Sequence, residues 1–138
     1  MNTKTYTTLP QEAKDIRIEV FMKEQGFENE FDDIDNISFH IVVFDEEKTI
    51  GTCRFFKEND HYTIGRVAVL KEYRNQHIGN VLLESAEKEI KKLNGDLIVV
   101  HAQVRVSPFY EKQGYIQFGQ IDDDEGVPHM WMKKRIQH

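Results

Sequence analysis

Arg74-Asn75-Gln76-His77-Ile78-Gly79 joins a strand-like run to a helical one, and these residue types suit an anion. Upstream, Val67-Ala68-Val69 reads as the end of a strand. Downstream, Val81, Leu82, Ala86, Ile90 and Leu93 recur at helical spacing, with Glu84, Glu87, Lys88, Lys91 and Lys92 on the opposite side. The first turn of such a helix presents backbone N–H groups that no helical carbonyl can satisfy, at the positive end of the helix dipole. A phosphate is the usual occupant of that position. Arg74 adds a charge at the start of the turn, and Gly79 adds almost no bulk inside it. An ordinary strand-to-helix connection with a tolerant glycine carries the same local pattern. A Walker loop is excluded because no Gly-Lys-Ser/Thr ending exists, and a dinucleotide fingerprint because Gly79 is the only glycine of the three required.

Glu28-Asn29-Glu30-Phe31-Asp32-Asp33-Ile34-Asp35 places five carboxylates in eight residues. Alternating ligands, a central glycine and a closing glutamate would mark a calcium loop, and the pattern lacks them; no metal is expected. The stretch reads as a solvated loop or short second helix whose field would draw in an amine. Cys53 is the only cysteine, which excludes an internal disulfide and fits a reducing cytoplasm. Its neighbours Thr52, Arg54 and Phe55 suit a strand, so it reads as a buried structural thiol.

These groups need a scaffold, and 138 residues supply one domain, residues 1–138, with a real core. With 39% hydrophobic and 30% charged residues the chain is expected to be soluble. No secretory leader and no membrane span are expected. A net charge of −6 with scattered lysines argues against nucleic acid. An acidic surface suits a cationic small molecule or a lysine-bearing peptide.

The pattern gives a strand over 4–8, a helix opened by Pro10 and ended by Gly26, and a three-strand antiparallel meander over 39–44, 49–57 and 61–70. The anion-binding turn and its helix follow, closed by Asn94-Gly95. Leu97-Ile98-Val99-Val100 is a strand buried on both faces. A short helix runs from Ser107 to Lys112, with strands from Tyr115 to Phe118 and His129 to Lys133 separated by an acidic turn at 122–126. The order is β-α-βββ-α-β-α-ββ, an α/β domain with a mixed sheet flanked by helices.

In this order the chain resembles the GNAT superfamily of acyl-CoA-dependent N-acetyltransferases. Arg74-x-x-His77-x-Gly79 is similar to that family's pyrophosphate loop, with His77 in place of its first glycine. Phe109-Tyr110-Glu111-Lys112-Gln113-Gly114-Tyr115 is similar to its Phe-Tyr-x-x-x-Gly-Phe/Tyr element. Arg17-x-Glu19-Val20-Phe21 with Glu24-Gln25, and Val127-Pro128-His129-x-Trp131-Met132, resemble a small ElaA-type branch.

The resemblance implies a transfer of acetyl from acetyl-CoA (coenzyme A), as co-substrate, to a primary amine on a small molecule or peptide. The pantetheine arm would lie between two diverging strands. A bulge near Val67, Ala68 and Val69 would turn the Val69 N–H toward the thioester oxygen. Arg74, Asn75, Gln76, His77, Ile78, Gly79 and Asn80 would hold the pyrophosphate, with Ser107 and Phe109 also on the cofactor. Tyr110 would act as general acid to the departing thiolate.

An alkylammonium of pKa about 10.4 is neutral in roughly one part in 2,500 at pH 7, a handicap of about 4.6 kcal/mol, so a base is needed. No carboxylate stands near Gly65-Arg66, where many members of the family carry a glutamate. The remaining candidates are Glu24, Glu28, His101 and His129. His129 is preferred, since imidazole titrates near neutrality. Glu24, Gln25 and Gln103 would contact or orient the acceptor. Trp131 and Met132 would join a homodimer surface. A non-catalytic CoA-binding module of the same fold is the alternative.

Overall fold

The computed structural model describes residues 1–28 and 30–136. Seven strands form one sheet: β1 (Asn2–Tyr6), β2 (Phe39–Asp45), β3 (Lys48–Glu58), β4 (His61–Val69), β5 (Leu97–Gln103), β6 (Ile116–Asp124) and β7 (Val127–Arg135), in the spatial order β1-β2-β3-β4-β5-β7-β6. β2 and β3 are buried in nearly continuous runs, as strands covered on both faces must be. On one face α2 (Ile78–Lys92) lays Ile78, Leu82, Leu83, Ala86 and Ile90 over Ile41, Phe55, Ile64, Ile98, Val100 and Met132. On the other, α1 (Gln11–Arg17) continues as a π-helix over Ile18–Glu24, and Ile16, Val20, Phe21 and Phe27 close a smaller cluster with Ala68. α3 (Ser107–Lys112) is the short third helix.

The order of strands and helices matches the expectation, and several boundaries move. Pairing of Asn2 with Phe44 and of Tyr6 with His40 sets β1 two residues earlier than its threonines suggested. The first helix widens past Arg17, with Gln25 N–H donating to the Val20 carbonyl five residues back. The acidic 122–124 segment is not a turn. It extends β6, opposite 127–129, and the reversal is left to Glu125 and Gly126, both at positive φ. Met132 is fully buried against α2 and cannot serve a dimer surface, whereas Trp131 is half-buried and packs on His101 and Phe118.

One feature of the sheet makes the site. β4 and β5 are parallel neighbours, paired only from Tyr62↔Ile98 to Ile64↔Val100. Beyond that point β4 stays with β3, through Ala68↔Thr52, while β5 stays with β7, through Gln103↔His129. The two strands part and leave a V-shaped cleft.

The acidic stretch is not a solvated loop. Asn29 lies outside the described residues, and Asp33–Ile37 forms a 3₁₀ turn. Glu30 and Asp35 are buried, and with half-exposed Asp32 they meet Arg17, Arg54 and Arg66. Arg17, only 1% exposed, donates Nε to Glu30 Oε1 at 2.8 Å and Nη1 to Asp35 Oδ1 at 2.8 Å. Arg54 spans Asp32 and Asp35 at 2.6 and 2.9 Å. Burial pushes both aspartates up, but the arginine hydrogen bonds and charges prevail and hold them below the usual range. Three guanidinium groups thus neutralise the field that was expected to attract an amine.

Candidate active site

A bulge shapes the β4 wall of the cleft. Thr52 pairs with Ala68 and Arg54 with Gly65, so Arg66 and Val67 together oppose Cys53. Arg66 takes the strain at φ 52°. The bulge lies one to two residues before the expected position, but it serves the expected residue. Leu70 N–H donates to Ile50 on β3, so by strand alternation the N–H and carbonyl of Val69 face the cleft. The Val69 carbonyl accepts from Arg74 Nε at 3.1 Å, which agrees with that orientation.

The turn into α2 passes through two left-handed residues, Asn75 (φ 65°) and His77 (φ 63°). His77 therefore takes the conformation that glycine enters freely, at a cost of about 1–2 kcal/mol for a residue with a Cβ. Its carbonyl receives the Val81 N–H, so the N–H groups of Ile78, Gly79 and Asn80 are left for another acceptor. A Cβ on Gly79 would sit 3.0 Å from the Phe109 ring, so this glycine lets α3 close against the start of α2. These residues, with Val67, Ala68, Val69 and Tyr110, line a groove of about 650 Å³.

Two of the expected cofactor contacts do not line it: Gln76 is exposed, with its amide on the Glu72 carbonyl, and Ser107 is buried at the start of α3. Arg74 does line it, but its two Nη atoms hold Glu24 in a bidentate pair at 2.6 and 2.7 Å. That bond holds the Glu24 carboxyl below its usual range. Glu24 is thus tied to the turn that opens α2. Gln25 lines the groove and accepts from Gln103 Nε2 at 2.8 Å, tying the end of the π-helix to β5.

Where the strands part, a second cavity of about 110 Å³ opens on the α1 face. Phe21, Phe27, Glu30, Arg66, His101, Gln103 and His129 border it, with Asp124 from the end of β6 and Glu125 from the turn after it. Val67, Val106 and Tyr110 line both this cavity and the groove, so Tyr110 stands at their junction. Burial, and secondarily the neighbouring Cys53, pushes its phenol well above the usual range, so it keeps its proton. Cys53 is itself pushed up to about 12 by burial and is an inert structural thiol, as expected.

His129 Nδ1 lies 2.8 Å from the Val127 carbonyl, an acceptor only, so Nδ1 carries the hydrogen and Nε2 is the nitrogen able to take a proton. His101 is committed elsewhere: its Nε2 donates to Asp122 at 2.7 Å, and its ring packs between Trp131 and His129. Glu28 is exposed and outside the cavity. Sequence reasoning missed Glu30, whose carboxylate lies 3.1 Å from Arg66 Nε, beside the strand position that lacks a carboxylate of its own. A signal existed, since Arg17 shares the helical face of Ala13, Ile16 and Val20 and so had to turn inward toward acids. Among the described residues no group of His, Cys, Asp or Glu is arranged to hold a metal ion, and no helix is long and apolar enough to cross a membrane.

Residues 7–136 match the family model described as an acetyltransferase (GNAT) domain. The chain belongs to the GNAT acetyltransferase family. Uncharacterized N-acetyltransferase YjcF of Bacillus subtilis is 35% identical over 122 residues, covering 86% of this chain and 87% of that one. ElaA of Escherichia coli is 24% identical over 128 residues, 88% of this chain and 84% of its own, in keeping with the ElaA-type branch. The ElaA crystal structure superposes with a TM-score of 0.85 at 22% identity, covering 96% and 98% of the two chains. An aminoglycoside 6'-N-acetyltransferase complexed with coenzyme A shares the GNAT fold, with a TM-score of 0.78 at 15% identity over 100% and 99% of the chains.

Proposed function

We propose that this GNAT acetyltransferase moves an acetyl group from acetyl-CoA to a primary amine within a ternary complex. The carrying observation is that one tyrosine, Tyr110, stands between a groove edged by the amides that open α2 and a cavity bordered by His129, whose Nδ1 is engaged by the Val127 carbonyl. The residues present fit coenzyme A. The cleft-facing N–H and carbonyl of Val69 offer a strand edge to the pantetheine amides, and the N–H groups of Ile78, Gly79 and Asn80 with Arg74 offer donors to the diphosphate. The GNAT protein crystallised with coenzyme A supports the same choice of ligand.

In this reading His129 Nε2 takes a proton from the bound ammonium. The nitrogen lone pair then forms the C–N bond, and the Val69 N–H stabilises the oxyanion. Such a donor is worth about 3–4 kcal/mol where one has been removed elsewhere. As the C–S bond breaks, Tyr110 donates its O–H to the sulfur, and water returns to the phenol the second proton shed by nitrogen. Since the phenol is a weaker acid than the thiol, hydrogen bonding to the nascent thiolate precedes any full transfer. The acceptor is an amine on a small molecule or peptide, and the protein acts in the cytoplasm.

Thiol release from acetyl-CoA is measured against a panel of alkylamines, polyamines, aminoglycosides and peptides. Saturable release that collapses in Tyr110→Phe is expected. Tight CoA binding without release across the panel makes the protein a binding module instead.

A further inference from the structure

Two imidazoles border the cavity, and the proposed reaction uses only one of them, His129. The other, His101, stands on β5 opposite Trp131 of β7, while His129 of β7 stands opposite Asp122 of β6. Strand alternation puts residues 129 and 131 on one face, so both reach the His101 side chain. The His101 ring stacks on Trp131 with centroids 4.3 Å apart and planes at 21°. The His129 ring lies 4.8 Å from it at 34°. His101 Nε2 also donates to Asp122 Oδ1 at 2.7 Å.

These contacts divide into an anchor and a load. Asp122 is the anchor: the His101 hydrogen bond holds its carboxyl below the usual range, so it stays charged at neutral pH. With an indole against its face and a carboxylate on Nε2, His101 has little freedom to turn. His129 is held differently. Its Nδ1 hydrogen goes to the Val127 carbonyl, two residues back on its own strand. One hydrogen bond sets the tautomer but lets the ring pivot about it. A rigid neighbour against the ring removes that pivot. The same neighbour suits the charge that forms on His129 when it takes a proton, because an aromatic face backed by a carboxylate favours a cation.

We propose that His101 is a positioning residue, its ring holding the His129 imidazole in the orientation that meets the acceptor amine, with Asp122 and Trp131 holding His101. This rests on reading His129 as the base. No proton passes through His101: its Nε2 hydrogen stays on Asp122, and the proton lost by the ammonium ends on His129 Nε2.

The test is a double-mutant cycle of His101→Ala and His129→Gln, read by thiol release from acetyl-CoA with butylamine and spermidine as acceptors. His101→Ala lowers kcat about 10- to 100-fold, the cost of a misplaced reacting group, while the acetyl-CoA KM and CoA affinity by calorimetry stay unchanged. His101→Phe, which keeps a ring against His129, restores most of that loss. In the His129→Gln background His101→Ala costs nothing further, since residues that act as a unit are not additive. An unchanged kcat in His101→Ala, or losses that multiply across the cycle, overturns the assignment and leaves His101 a packing residue. Should His101→Ala not fold, Asp122→Ala replaces it in the cycle, on a half-exposed side chain of the edge strand, with the same two outcomes. If His129→Gln alone leaves kcat unchanged, the base reading fails, and this assignment with it. A wild-type protein that releases no thiol with either acceptor overturns the transferase reading as a whole.

Discussion

The groove and the cavity meet at Tyr110 but are built in different ways. The groove is mostly backbone: the exposed edge of Val69, the amides that open α2, and a glycine that lets Phe109 close in. Its parts lie within a few short stretches of chain. The cavity is assembled from the π-helix after α1, the loop beyond it, β4, β5 and the β6–β7 hairpin. A backbone site is encoded by conformation and tolerates changes that keep it. A side-chain site depends on each atom and on the charges packed behind it.

The largest effect should appear at the junction. Tyr110→Phe keeps the ring that packs against Phe109 and Tyr115 and removes only the hydroxyl. A loss of about 10²–10⁴ in kcat, the range for a positioned acid, is expected with unchanged CoA affinity by calorimetry. Equal loss of CoA affinity would place Tyr110 in the groove alone.

Next is the lattice behind the cavity. Arg17→Met strands Glu30 and Asp35 and should cost about 3–5 kcal/mol in denaturant unfolding, as breaking a buried pair does. The same lattice sets an acid limit. Asp32 and Asp35 titrate below their unfolded values, so their contribution is full above the ordinary aspartate range and is lost as pH falls through the lowered folded values. Glu30, raised mainly by burial despite Arg66 and Arg17, contributes in the opposite sense, favouring the fold below its unfolded value and losing that contribution as pH rises. Acid unfolding followed by circular dichroism below pH 4 therefore reports the two aspartates along with Glu24 and Asp122, which their partners also hold low, and an Asp35→Asn variant should lose part of that acid sensitivity.

Arg74 sharpens the contrast on the groove side. Arg74→Ala should weaken CoA binding about 10- to 100-fold. Glu24→Gln, which frees the guanidinium from its bidentate partner, should tighten it. Opposite signs in calorimetry mark Glu24 as a competitor for the diphosphate, and parallel losses would make the pair a structural tie. The smallest effect belongs to His77→Gly, which relieves a left-handed residue at some cost in unfolded-chain entropy and should stabilise by about 0.5–1 kcal/mol with CoA binding preserved.

The same division explains what the sequence revealed. The strand, turn and helix around Gly79 were legible because their signals are local: periodicity, a glycine and a charge. So was the Phe109–Tyr115 element. Pairing between distant strands set β1 two residues early and extended β6 through three aspartates, against the turn-like composition of 122–126. The acidic stretch misled for a related reason. Five carboxylates in eight residues look solvated until the arginines that claim three of them are located, and Arg17, Arg54 and Arg66 lie 13 to 36 residues away along the chain. Nor does anything local announce the pairing of Glu24 with Arg74, fifty residues downstream.

The central claim is tested most directly by a crystal structure with coenzyme A. The account predicts pantetheine between β4 and β5, its diphosphate on the amides of Ile78, Gly79 and Asn80, and its sulfur within hydrogen-bonding reach of the Tyr110 hydroxyl. A closed cleft, or a sulfur that ends away from Tyr110 with the diphosphate bound elsewhere, would contradict it.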